Sequence, residues 1–468
     1  MLMTFADLIS STGVCFRVPL LLQICQHIYL QAAIGFQDWI NTVVCLATSL
    51  LSYYCLAMGR KRHRKKAAAA VAAAAPPAAS LPVDMLANIH ARLSLLDRLT
   101  FAAVFRTSRD AFKPEPPCLL LPGDAPEIAA LFSLAYRRAA AVRAPGPGHA
   151  VLGSSSSRGW LVTADDRARM HLVNPFTGER RALPAIDTIP HIFAHGGRHH
   201  FTVNVMWFLR GPPPYPYGTM TYTTERVRHA LYRKVVLSSS ADVAMLITGP
   251  EYGVAAFATA GGGAWRLAPP RDGVEPVPTS GSWHSRNGVE DAVHHDGRFY
   301  SITYSGELEA WEEREAYAAG VFTSAVVAPS VLLPANTHHR KYLVVSPAGR
   351  LMVVLKETMG RRTPPSFKVQ VLDAGREGWK KTDDIGDTAL FVAVNGSLCV
   401  STRKHPELKA GCVYYYTEDD LEPCKDARDD EDNGVRVFSL KDRRTEMVEG
   451  LGWRRSWPPP AWFIPSIP

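Results

Sequence analysis

The sequence predicts a mainly β protein: a β-propeller of six or seven blades preceded by a short helical module. Three observations carry this. Strand-length apolar runs alternate with glycine turns from Val151 onwards, the turns recur at intervals the size of a four-stranded blade, and helical spacing of apolar residues is confined to one short stretch. The 468 residues, 47% apolar and 21% charged, suffice for one large core or two or three ordinary ones. With 34 glycines and 35 prolines scattered between short apolar runs, long helical bundles are excluded in favour of many turns and short strands.

The formal charge of +8 is local, because Arg60, Lys61, Arg62, Arg64, Lys65 and Lys66 supply six of those charges. A remainder so close to neutral argues against a nucleic-acid partner, which needs cations spread over a surface. None of the eight cysteines forms a C-x-x-C, and their spacing fits neither a zinc module nor a dense disulfide framework, so a reducing compartment is expected. Asn395-Gly396-Ser397 has the form of a glycosylation site but is better read as a tight turn.

Residues 1–57 form an apolar extension, and no charge falls between Ile40 and Met58. Two readings stand. The stretch is long enough for a membrane anchor with the basic run as its cytoplasmic flank, although Asn41, Thr42, Thr48, Ser49 and Ser52 dilute it. Alternatively, Met58-Gly59-Arg60-Lys61 is the natural start of a soluble protein and the preceding residues are an upstream extension. We prefer the second, which makes the basic run a nuclear-localisation patch or a solvated tail and places the protein in the nucleus, the cytoplasm or both. Under the first it is membrane-anchored. Residues 58–79 comprise the basic run and an Ala/Pro-rich linker.

Residues 80–117 form the helical module. Leu86, Ile89 and Leu93 recur at three- and four-residue spacing, Pro82 suits a first turn, and Asp97 is placed to cap a second helix carrying Leu99, Phe101, Ala102 and Phe105. So small a module cannot bury all these residues without a partner.

Residues 118–468 are the β region. Its strand-like runs include Trp160-Leu161-Val162, Met170–Val173, Phe299–Ile302, Leu351–Leu355 and Val413–Tyr416. Asp296-Gly297, Ala348-Gly349 and Asn395-Gly396 mark hairpins at intervals of 52 and 47 residues, and Trp265 and Trp379 are expected at equivalent inter-blade positions. The stretches 211–218, 271–288 and 418–432 read as surface insertions. In the first two, Tyr215, Tyr217, Trp283 and Arg286 are the residue types that most often anchor protein interfaces, so they are the candidate target-binding residues.

The chain carries no P-loop, no Gly-x-Ser-x-Gly elbow, no His-Glu-x-x-His and no dinucleotide fingerprint. The pairs His199-His200, His294-His295 and His338-His339 are poor metal ligands, because adjacent residues on a strand point to opposite faces. No catalytic residue, metal site or cofactor is therefore assigned.

The run Leu81-Pro82-Val83-Asp84-Met85-Leu86, with Ile89, Leu93, Asp97-Arg98-Leu99 and Val104–Arg109, resembles an F-box. The resemblance covers about 35 residues. It implies docking on a Skp-type adaptor of a cullin-based ubiquitin ligase through Leu81, Pro82, Leu86, Ile89, Leu93 and Leu99. The sequence departs from the family where a cysteine and a tryptophan are common, having Phe105 and Ser108. From Gly153 onwards the wording is similar to the plant F-box family with a C-terminal KIB-type β-propeller. The carrying segments are Gly153–Val162, Leu172–Gly178 with Leu183-Pro184, Lys234–Ser239, Asp296–Tyr300 and Trp457–Phe463. This resemblance implies a non-catalytic substrate receptor of an SCF-type ubiquitin ligase, partnered by the adaptor, the cullin core and an unknown protein target. The alternative is a propeller interaction module that no longer engages the ligase.

Overall fold

The computed structural model describes residues 81–122, 128–143, 149–154, 159–197, 199–204, 219–249, 253–259, 262–269, 288–313, 320–332, 339–358, 364–373, 378–416, 434–448 and 460–466. The chain divides into two compact units, Met1–Lys113 and Pro114–Pro468.

The first unit holds helix α1 (Val83–Arg92), helix α2 (Leu95–Val104) and a 3-10 turn, Arg106–Ala111. Helix α1 starts immediately after Pro82, whose carbonyl accepts from the Met85 and Leu86 N–H groups. Helix α2 begins two residues before Asp97, which corrects the expected cap. Ser94 is the N-cap, its hydroxyl accepting from the Asp97 N–H at 3.5 Å and donating to the Asp97 carboxylate at 2.7 Å. The small core combines Leu86, Leu95, Leu99 and Phe112. His90 stacks flat on Phe112 with ring centroids 4.5 Å apart, and burial followed by the nearby Arg98 cation lowers its pKa to about 4.

The second unit is a β-propeller. Among the described residues, six sheets succeed one another around a ring of inner strands. Blade 1 is Ala461–Phe463, Cys118–Pro122, Ile128–Ser133 and Arg138–Arg143, from the axis outwards. Its innermost strand thus comes from the far end of the chain, with Leu120 opposite Ala461 and Cys118 opposite Phe463. Blade 2 (Ala150–Ser154 to Arg180–Ala182), blade 3 (Tyr232–Leu237 to Arg266–Leu267), blade 4 (Val289–His295 to Phe322–Ala328) and blade 5 (His339–Val345 to Gly378–Thr382) are four-stranded antiparallel meanders.

Blade 6 departs from the meander. Its second strand, Gly396–Ser401, is innermost, so the first, Thr388–Ala393, lies parallel to the third, Cys412–Tyr416. Val435–Ser439 and Thr445–Met447 complete it. A seventh sheet of three strands, Ile192–His195, His200–Asn204 and Thr219–Thr223, is not a blade, because the inner strands of blades 2 and 3 lie side by side. It packs laterally, sharing one apolar cluster with both blades through Ile192, Phe201, Val203 and Tyr222.

Apolar side chains collect between blades rather than at the axis. Phe257 of blade 3 stacks on Phe322 of blade 4 at 4.2 Å, with Phe299 and Trp311 beside them, and Leu308, Val353, Leu355 and Trp379 join blades 4 and 5. Trp265 and Trp379 occupy the equivalent positions expected of them. Each indole N–H donates at 2.8 Å to a proline carbonyl just past the outer strand of the preceding blade, Pro184 and Pro329 respectively.

Two of the three expected hairpin turns form as read. Asp296 and Gly297 both adopt positive φ (47° and 75°) between the paired His295 and Arg298, and Gly349 (φ 78°) closes the turn in blade 5. The third is displaced by one residue, since Ala393 pairs with Gly396 and the turn is Val394-Asn395. Asn395 is buried, and its amide donates to the Pro460 carbonyl at 3.2 Å and the Val151 carbonyl at 3.4 Å. That engagement across three blades replaces the local turn role.

Blades 2 and 3 approach closely at Gly153, where a Cβ would stand 2.0 Å from the Val235 carbonyl oxygen. Gly153→Ala should therefore force blades 2 and 3 apart and destabilise the propeller by about 1–3 kcal/mol, read as a lowered denaturation midpoint.

Candidate binding surfaces

The F-box-like residues separate into two groups. Leu86 and Leu99 are buried, 4% and 6% exposed, whereas Pro82 is exposed and Leu81, Ile89 and Leu93 are half-buried. Met85 and Ile89, four residues apart, share one flank of helix α1 beside the buried Leu86 and His90. Met85 is 39% exposed and Val83 49%. The helical unit therefore presents an apolar surface of Leu81, Pro82, Val83, Met85, Ile89 and Leu93, while Leu86 and Leu99 support it from within. Val83 and Met85 were missed in the sequence, although they lie inside the Leu81–Leu86 run.

Tyr215, Tyr217, Trp283 and Arg286 lie outside the described residues. On the described part of the propeller, exposed apolar residues occur along the outer strand of blade 4, where Ala325, Val326 and Val327 are exposed and Leu332 follows at 51%. That strand ends its sheet, so its outer edge is open among the described residues.

The inner strands of blades 3, 4 and 5 each carry a charged pair near their start. Arg233 and Lys234 open the inner strand of blade 3, Glu290 and Asp291 that of blade 4, and Arg340 and Lys341 that of blade 5. Lys234 Nζ lies 2.6 Å from Asp291 Oδ1, and Lys341 Nζ lies 2.6 Å from Glu290 Oε2. The carboxylates also accept backbone N–H groups of the next blade, Glu290 from Lys341 at 3.0 Å and Asp291 from Leu343 at 2.8 Å. Arg233 donates to the Glu290 carbonyl at 3.0 Å. Burial is the largest influence on Glu290 and raises its carboxyl above the ordinary range, although Lys341 and Arg233 pull it down. This belt was missed in the sequence. Its signal is a charged pair at the head of each apolar strand, basic, acidic and basic in successive blades.

A second polar cluster lies in blade 2. Asp165 accepts from the backbone N–H groups of Arg167 and Arg169, both at 2.9 Å, and from Arg169 Nε at 2.7 Å, while His171 Nε2 stands 3.5 Å away. Burial raises the Asp165 pKa, but those N–H groups and the guanidinium reverse the shift and hold it below 3.8. His149, pushed down to about 4 mainly by burial and then by Arg180, contacts Thr163, which is fully buried. The cluster fixes a hairpin and offers no accessible nucleophile. Among the described residues, no group of three or more His, Cys, Asp or Glu could hold a metal, and no helix is long and apolar enough to cross a membrane. The apolar segment 40–58 lies outside the described residues.

Among the described residues, a ring of six blades, closed by its own distal strand and joined by side chains at the inner edges, defines a β-propeller protein. Residues 131–439 match the KIB1-4 beta-propeller family, and the chain belongs to that family. No curated protein matches the chain. Among solved structures, the Cps50 (Swd1) beta-propeller domain of Myceliophteria thermophila aligns at 10% identity and a TM-score of 0.29, covering 70% of this chain and 95% of that one. A luciferin-regenerating enzyme aligns at 8% identity and a TM-score of 0.30, covering 60% and 80%. At those TM-scores neither likeness bears on function.

Removing one partner from the axial belt strands a buried charge, so Asp291→Ala should cost about 3–5 kcal/mol in chemical denaturation. Replacing both Asp291 and Lys234 by apolar residues should cost less than Asp291→Ala alone. For Asp165 the folded pKa lies below the unfolded one, so its stabilising contribution is full at neutral pH and is lost as the pH falls below 3.8. The stability gap between wild type and Asp165→Asn should therefore be constant near neutrality and shrink on acidification.

Proposed function

We propose that this protein is the substrate receptor of an SCF-type ubiquitin ligase. The helical unit binds a Skp-type adaptor and through it the cullin core, and the propeller, a protein-interaction module, holds a protein target. The chain catalyses nothing itself and contributes by holding the target near the transfer machinery. The observation that carries this reading is the apolar surface of Leu81, Pro82, Val83, Met85, Ile89 and Leu93 on a two-helix unit whose own core is already filled by Leu86, Leu95, Leu99 and Phe112. The exposed Val326, Val327 and Leu332 give the propeller a place to hold a target.

A second reading, a propeller interaction protein detached from the ligase, is favoured by Ser108 at the position where the F-box family commonly carries a tryptophan. Co-purification of the full chain with a Skp-type adaptor separates the two. Under the first reading wild type binds, and Ile89→Glu weakens binding at least tenfold with an unchanged circular-dichroism spectrum. Leu86→Ala should instead lose binding together with helical structure, because Leu86 is core. Wild-type protein that captures a target without any Skp-type adaptor supports the second reading.

A further inference from the structure

The axial belt is unbalanced. Among the described residues, four cations, Arg233, Lys234, Arg340 and Lys341, surround two carboxylates, Glu290 and Asp291. Both carboxylates are engaged by lysines at 2.6 Å, and neither arginine comes that close to a described carboxylate. Arg233, 3% exposed, donates through Nε to a neutral carbonyl. Arg340 comes no closer than 4.0 Å to Glu290, and its buried Nε has no hydrogen-bond partner. The arginines are partly accommodated by aromatic faces, Arg233 over Tyr304 at 5.8 Å and Arg340 over Tyr342 at 5.3 Å.

Two positive charges in excess, in a place where burial makes unpaired charge costly, call for a counter-anion. We propose that the heads of the inner strands of blades 3, 4 and 5 form a binding site for a dianionic phosphate group, flanked by Arg233 and Arg340. Two unmatched guanidinium groups suit the charge and the fork geometry of a phosphate. Arg340, whose side chain is 22% exposed, gives the ligand its approach from solvent. The site is built from residues of the propeller unit alone and does not depend on ligase binding.

The test is thermal denaturation of the full chain at pH 8 with inorganic phosphate, against sodium chloride at matched ionic strength. Phosphate should raise the midpoint beyond the chloride control, and the apparent affinity should fall at least tenfold in Arg340→Gln. Arg233→Gln should do the same. Because Arg233 is buried and its loss could unfold the protein, Arg340→Gln carries the decision. Arg298→Gln, at an exposed residue paired with Glu312, should leave the phosphate response intact. Phenyl phosphate distinguishes the sources: binding at least as tight as inorganic phosphate identifies a phosphate monoester, and weaker binding identifies the free ion. A phosphate response no larger than that of chloride, or one unchanged in Arg340→Gln, overturns the proposal.

Discussion

The innermost strand of every blade has one edge with no further strand to pair with, and the propeller depends on how those edges are satisfied. A backbone N–H or carbonyl left unpaired in a buried place costs about as much as a lost hydrogen bond. Here side chains from adjacent blades fill the gap. Glu290 and Asp291 accept N–H groups of blade 5, Arg233 caps a carbonyl of blade 4, Ser154 donates to the Trp462 carbonyl of blade 1, and Asn395 reaches carbonyls at Val151 and Pro460. These polar links set the spacing that the apolar clusters between blades then fill. Gly153 marks where that spacing leaves no room for a side chain.

Much of the fold was legible because it repeats locally. The unbroken apolar run Leu351–Leu355 and the Asp296-Gly297 turn are decided by a few neighbouring residues, and the structure places both as read. Trp265 and Trp379 could be matched because each sits at the same point of its blade and makes the same contact. What remained hidden was long-range. The inverted hairpin of blade 6 has ordinary strand sequences, and the Asn395 side chain is committed to carbonyls distant in sequence. The three-stranded lateral sheet has strands of ordinary blade length, and only the adjacency of the inner strands of blades 2 and 3 shows that it is not a blade.

The candidate surfaces follow the same division. Helical spacing located the apolar face of α1 but could not tell which of its residues close the local core and which face outwards. Leu86 and Ile89 belong to one stripe in the sequence and to different environments in the fold. The charged heads of the inner strands are visible in the sequence only as separate residue pairs. Their role appears only when three distant strands are brought side by side.

The pairing of Ala461–Phe463 with Cys118–Pro122 has a consequence for how the protein is made. On a ribosome, the first blade emerges without its innermost strand and must wait until the remaining five have been synthesised. Until then, Leu119 and Leu121 lack the cover of Trp462, a side chain fully buried in the closed ring. The incomplete chain carries an open strand edge for most of its synthesis, the kind of edge that pairs readily with other chains. Loss of only the last few residues of the ring would leave every other blade encoded but the circle unable to shut.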